Sequence, residues 1–232
     1  MNGLDVHLEI GTPLVRGALA LYPLFGDAPV APDYVAGPVA AAAGTLHVAE
    51  RDGGPEVPEL SVVNGEALPL LLLEGETLLG GWQNRMLNVS MILAAGATAV
   101  VPVSCVERGR WSGARGGAER SPALAPMALR ARKQRAVVAG VMAGANGRHA
   151  DQGEVWRAVD EYTARYSVAA PTAALEYVHQ ARQSDVELAM AGTRPLPGQR
   201  GVAVAVGEPA EFSHCPAGQR RRALRPDDQR RR

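Results

Sequence analysis

Six polar residues stand inside the most apolar stretch of the chain, and their types suit chemistry. Between Leu68 and Glu107 the sequence sets Glu74, Glu76, Gln83, Asn84, Arg85 and Asn88 among leucines, valines and glycines. Two neighbouring carboxylates can hold separated pKa values and divide acid and base duties. Burying them unpaired is costly. Arg85 is the nearest cation in sequence, and a guanidinium meets a carboxylate or a phosphate with two parallel hydrogen bonds. Gln83, Asn84 and Asn88 add neutral donors and acceptors. Glu107 closes the stretch. Trp111 is the one large aromatic of the loop that follows, and it either covers the sheet or stacks on a ligand. The plain alternative is that the amides and Arg85 satisfy loop backbone and carboxylate groups.

The elements that position these residues read as strands. Residues 70–73 form a continuous apolar run, the pattern of a strand buried on both faces. Gly75, Gly80 and Gly81 argue against helix, each at about 1 kcal/mol relative to Ala. If Gly75 marks no bulge, Leu70, Leu72, Glu74 and Glu76 share one face. Beyond Arg85, Val89, Met91 and Leu93 alternate with Asn88, Ser90 and Ile92. A turn at Gly96 and a second strand over 98–106 make this a predicted hairpin. Pro102 cannot donate to a ladder and predicts an edge strand or a bulge.

The rest of the chain divides into strands first and helices later. Residues 14–25 read as a strand pair or one bent strand, interrupted at Gly17 and Pro23. Residues 33–43 suit a short helix, weakened by Gly37-Pro38. Strands are expected over 45–50 and 57–64, around a turn at 52–55, and Asn64-Gly65 signals a hairpin. Residues 107–120 are rich in Gly and Arg and read as a loop. Ser121-Pro122 then offers an N-cap and a Pro at the first helical position. That helix carries a basic stripe, Arg130, Arg132, Lys133 and Arg135, expected on a solvated face. Asp151 and Glu154 have capping-box spacing before a helix over 155–166. A third helix is expected from 170 to about 190, ended by Gly192 and Pro195. A last strand covers 201–206. The expected fold is α+β: a mainly antiparallel β sandwich or barrel followed by a helical segment packed on it. Its extent is one domain over 1–207, strand-rich at 12–106, loop at 107–120 and helical at 121–191. The tail at 208–232 is Arg-rich and expected to be disordered.

Composition narrows the function classes. The 232 residues carry no net charge, which gives no bulk attraction to nucleic acid. Lys133 is the only lysine. Cys105 lies in a predicted strand and reads as a small packed hydrophobe; Cys215 lies in the tail. Neither a disulfide framework nor a metal site is expected, and His47 has no partner at metal-ligand spacing. The first residues lack the basic and apolar regions of a signal peptide. No apolar run approaches the ~18–20 residues of a membrane span. A cytoplasmic protein with no cofactor and no membrane partner is expected.

Three segments carry a resemblance: LLLLEGETLLGGWQNRMLNVS, VVPVSCVERGRW and DQGEVWRAVDEY. In this order and spacing they resemble the ARG- and rhodanese-phosphatase-superfamily-associated protein family, over roughly residues 12–206. The matching positions are Glu74, Glu76, Gln83, Asn84, Arg85, Asn88, Glu107 and Trp111, with Gln152 and Trp156 on a helix. The family's name implies a neighbourhood of ADP-ribose or NAD-derived metabolites, and no established reaction comes with it. Two functions follow as expectations. One is a binding module for a small molecule of the nucleotide-sugar class, or for a partner, using Gln83, Asn84, Arg85, Asn88, Glu107 and Trp111. The other is a hydrolase of a nucleotide-linked sugar with Glu74 and Glu76 as acid and base. Against the second stands the lack of a catalytic His, a nucleophilic Ser in a strained turn, or a phosphate-cradling Gly loop.

The resemblance also implies a further strand and a terminal helix after residue 206. The sequence instead turns Arg-rich, the pattern of a shifted frame or a truncation near Gly207. Seven of the last thirteen residues are Arg. Such a segment buries too little apolar surface to offset about 1–2 kcal/mol of backbone entropy per residue. Limited trypsin digestion is therefore expected to trim it first and leave a core ending near residue 207; protection of the Arg cluster would contradict this.

Overall fold

A computed structural model describes residues 7–26, 33–51, 56, 58–111 and 117–207. The predicted turn at 52–55 and the tail at 208–232 lie outside the described residues. Along the chain run β1 (Glu9–Ile10), β2 (Leu14–Arg16), β3 (Leu19–Phe25), β4 (Val35–Ala36), α1 (Gly37–Ala42), β5 (Leu46–Ala49) and β6 (Glu59–Asn64). Next come β7 (Leu70–Leu72), β8 (Glu76–Gly80), β9 (Arg85–Leu87), β10 (Met91–Leu93), β11 (Thr98–Cys105) and β12 (Ala118–Leu124). Then follow α2 (Met127–Met142), α3 (Gln152–Arg165), α4 (Glu176–Met190) and β13 (Gln199–Val206).

The described residues fall into two compact units. One joins the first strands to the last: β3 pairs with β13 on one side and with β1 and β2 on the other, all antiparallel. Gly17, in the left-handed region at φ 56°, turns β2 into β3.

The second unit, residues 33–184, holds the candidate site. Its six strands run in the order β12-β8-β9-β11-β6-β5, antiparallel throughout. The sheet curls into a nearly closed barrel, with β12 and β5 approaching at the seam. A smaller sheet, β10-β7-β4, contributes to the same core; its β4–β7 pair is parallel. The fold is thus α+β, mostly antiparallel with four helices among the described residues, as the strand-then-helix pattern predicts. Alternation sets the layers. Val62 on β6, Leu78 on β8, Leu87 on β9, and Val101 and Val103 on β11 point inward. Met86 and Val106 point outward, into a second core with Leu129 of α2, Val155 and Val159 of α3, and Leu175. Asp151 caps α3 by accepting from the Glu154 N–H at 2.9 Å, as its spacing indicates.

Several local expectations are corrected. β10 pairs with β7, not with β11, so the turn at Gly96 joins two sheets. Asn64-Gly65 is no hairpin turn: the buried Asn64 side chain donates to the Leu68 and Ala94 carbonyls and ties the loops below β6. Pro102 lies on a central strand. Its carbonyl accepts from the Asn88 N–H at 3.0 Å, so its missing N–H falls where the β9 ladder has ended. Residues 118–120 of the expected loop, together with Ser121 and Pro122, belong to edge strand β12, and α2 starts after Pro126 instead. Gly37-Pro38 opens α1, with Pro in its first turn. Residues 170–175 precede α4 as an irregular turn with Ala173 at φ 51°.

The basic stripe of α2 is corrected as well. Lys133 is 1% exposed, and its ammonium donates to Glu74 Oε2 at 2.7 Å, to the Asn88 carbonyl at 2.8 Å and to the Leu87 carbonyl at 3.3 Å. Arg130 pairs with the other oxygen of Glu74. This cluster pins α2 to the sheet. Burial pulls the Lys133 pKa down, and the Glu74 carboxylate opposes that. Removing Glu74 leaves a buried ammonium without its counter-charge, whereas Lys133→Met removes the charge together with its desolvation. Glu74→Ala is expected to cost about 3 kcal/mol and Lys133→Met clearly less, read from urea unfolding midpoints at equal m-value.

Candidate functional site

One end of the barrel is polar, and alternation explains why. On β11 the inward face runs Val101, Val103, Cys105; on β9 it runs Leu87, Arg85. Two residues beyond inward-facing Val48 on β5 stands Glu50. The inward positions that are aliphatic through the barrel thus become Glu50, Arg85 and Cys105 at this end.

Arg85 is fully buried. One guanidinium nitrogen, Nη1, donates to Gln83 Oε1 at 3.1 Å. The other two, Nε and Nη2, are buried with no hydrogen-bond partner among the described residues. No carboxylate lies within ion-pair distance of it among the described residues. The Trp111 ring sits over it, 5.8 Å from guanidinium carbon to ring centroid, and packs edge-to-face on Trp82 at 5.6 Å. Burial pulls the Arg85 pKa down, while the nearby Glu50 and Glu107 carboxylates push the other way.

Around Arg85 lies a tied rim. Glu107 accepts from Arg110 Nη2 at 2.7 Å and Nε at 3.0 Å, from the Asn84 N–H at 3.0 Å, and from the Thr172 hydroxyl at 2.7 Å. Burial raises its pKa, but these bonds outweigh that and hold it below the usual carboxylate value. Arg110 also donates to the Gly81 carbonyl at 2.8 Å and to Asn84 Oδ1 at 3.2 Å. Asn84 Oδ1 accepts in turn from the Gly80 N–H. A side chain at Gly81, at φ 54°, would meet Glu50 Oε1 at 2.8 Å, so glycine is needed there. That oxygen accepts from the Trp82 N–H at 3.0 Å.

The Cys105 thiol donates to the Glu107 carbonyl at 2.9 Å and lies 3.2 Å from Gln83 Oε1. Burial pushes its pKa up, so it keeps its proton. The Gln152 side chain clasps the Cys105 backbone, accepting from its N–H and donating to its carbonyl, both at 2.8 Å. That clasp joins α3 to the barrel end.

The structure therefore brings together Gln83, Asn84, Arg85, Glu107 and Trp111. The other three predicted residues lie elsewhere. Gly75, at φ 84°, breaks the run between β7 and β8, so Glu74 and Glu76 do not share a face. A Cβ at Gly75 would meet the Arg130 side chain at 2.5 Å. Glu74 turns to α2. Glu76 turns to Arg120, 3.2 Å away, beside Gly37 of α1. Neither acid pairs with Arg85. Asn88 faces the helices, accepting from Ser104 and donating to the Arg148 carbonyl. Sequence reasoning missed Glu50, Trp82, Arg110 and Thr172, and read Cys105 as plain packing. Period-2 counting from Val48 and Val103 is the signal that finds Glu50 and Cys105.

A model of the ARG and Rhodanese-Phosphatase-superfamily-associated Protein domain matches residues 7–212. The chain belongs to this family. That match spans the whole barrel and helical layer, Gln152 and Trp156 included. Neither the curated proteins nor the solved structures contain a match to this chain. Among the described residues of this family member, no helix is long and apolar enough to cross a membrane. Among the same residues, no group of three or more His, Cys, Asp or Glu is placed to hold a metal.

The Glu107 network makes a pH prediction. Its folded pKa lies below the unfolded value of about 4.5. The unfolded chain therefore binds more protons as the pH falls through that range, and the stabilisation by Glu107 is present above 4.5 and lost below it. Glu107→Gln is expected to lower stability at neutral pH and to flatten the acid limb below pH 4.5, followed by chemical denaturation at several pH values.

Proposed function

We propose that this chain binds a small anionic metabolite in the mouth of its barrel, with Arg85 as the residue that holds the anion. The observation that carries this reading is the unmatched pair of donors on a fully buried guanidinium. Unsatisfied buried donors are destabilising by about 1–3 kcal/mol each, more for charged groups. Such groups are rare in native proteins, and a bound ligand or ion is one way their missing acceptors are supplied. The free nitrogens are Nε and Nη2, the two that lie along one edge of the fork. They present parallel N–H groups spaced for two oxygens of a phosphate or a carboxylate.

The surrounding residues divide the remaining work. Glu107, Arg110 and Asn84 are spent on one another and on the backbone, so they frame the mouth. Trp111 is 46% exposed and offers an aromatic face beside the guanidinium. A nucleotide-linked sugar of the ADP-ribose kind suits this set, with a phosphate on Arg85 and a base ring on Trp111. The hydrolytic alternative gains nothing from the geometry, because Glu74 and Glu76 are each held in a separate ion pair.

Saturation with ADP-ribose or AMP at ~100 times Kd is expected to add about 2.7 kcal/mol of stability. For a chain of this length that is about 5–11 °C in melting temperature. Arg85→Met is expected to abolish the shift while leaving the unliganded protein as stable as the parent, or more so, because an uncompensated buried charge is removed. A panel of nucleotides, ADP-ribose and inorganic phosphate that produces no shift, or an Arg85→Met variant that still responds, refutes the reading.

A further inference from the structure

Arg85 is not alone in carrying an open group at the mouth. Glu50 Oε2 is shut off from solvent and has no hydrogen-bond partner among the described residues, although its sister oxygen is held by the Trp82 N–H at 3.0 Å. Trp82 packs on Trp111, and Trp111 lies over Arg85. Glu50 and Arg85 thus stand on one rim, linked through the Trp82 backbone and the Trp82 and Trp111 rings, yet no ion pair is formed between them. A buried acceptor and a buried donor pair that leave each other unmatched invite a ligand with complementary groups of its own.

We infer that the ligand bound at Arg85 carries, besides its anionic group, a hydroxyl that donates to Glu50 Oε2. This rests on the anion-binding reading above and adds to it a residue that sets specificity. The shared chemistry is a hydroxylated anion, such as a polyol phosphate or a hydroxy acid. An anion on an alkyl chain satisfies Arg85 and leaves the carboxylate oxygen buried and unmatched. A site with an unpaired buried polar group discriminates strongly against a ligand that lacks the matching group. A hydrogen bond to a charged group contributes about 1.5–3 kcal/mol, which is roughly tenfold or more in affinity.

Two matched probe pairs test this on the full chain by calorimetry: glycerol 3-phosphate against n-propyl phosphate, and L-lactate against propionate. In the phosphate pair, the carboxylate pair or both, the hydroxylated member is expected to bind at least about tenfold more tightly; which pair responds identifies the anion. Glu50→Ala removes both carboxylate oxygens and leaves no group there that could pair with a ligand hydroxyl as acceptor or donor. In this variant, with folding checked by its thermal melt, the preference is expected to disappear while anion binding persists. Equal affinity within both pairs, or a preference that survives Glu50→Ala, overturns the Glu50 assignment and leaves anion binding at Arg85 standing. A wild-type protein that binds none of the four probes, ADP-ribose or inorganic phosphate overturns both.

Discussion

The constraint on which this unit turns is a cation placed inside a barrel without a counter-ion. Desolvating a guanidinium costs several kcal/mol even after the surroundings relax. Here Gln83, a π face and the more distant fields of Glu50 and Glu107 offset only part of that. Lys133 provides the internal comparison. It is buried as deeply, on the opposite face of the same sheet, but four acceptors surround its ammonium: Glu74, the Leu87 and Asn88 carbonyls and Gln134. One buried cation is matched and anchors a helix. The other is open and faces the inside of the barrel. Burial does not separate the two; satisfaction by acceptors does.

Most of the remaining site exists to keep Arg85 where it is. Its strand holds only three residues, flanked by glycines and a tryptophan on one side and by Asn88 on the other. Backbone so short is fixed by its neighbours: β8 and β11 pair with it, and Gln152 clasps the end of β11. The rim repeats this logic. Each of Asn84, Glu107 and Arg110 spends its polar atoms on the others and on Gly80 and Gly81, so the loop between β8 and β9 is held on several sides.

The α+β class, the antiparallel barrel and the capped α3 were legible because each depends on local signals: alternation, a glycine turn, an N-cap. Strand partners were not. β10 and β11 look like a hairpin in sequence, but Met91–Leu93 finds a better-matched apolar neighbour in Leu70–Leu72, a non-local choice. Five of the eight predicted site residues converge because the Gln-Asn-Arg triplet sits at one strand start and Glu107 and Trp111 sit near the end of its neighbour. Glu74 and Glu76 separate because one glycine takes a left-handed conformation, and a one-residue change of direction moves a side chain to the other face. Arg110 sat unnoticed in a Gly- and Arg-rich run where composition suggested only a loop.

The pairing within the rim determines which charge remains available. Glu107 is one of two carboxylates, with Glu50, whose fields reach Arg85. It is taken up by Arg110, with the Asn84 N–H and the Thr172 hydroxyl completing its shell. A carboxylate so fully bonded keeps its charge but offers Arg85 no oxygen within reach. Glu50 is turned away by the Trp82 N–H, and Glu107 by Arg110. Nε and Nη2 of Arg85 are thereby left without a hydrogen-bond acceptor among the described residues.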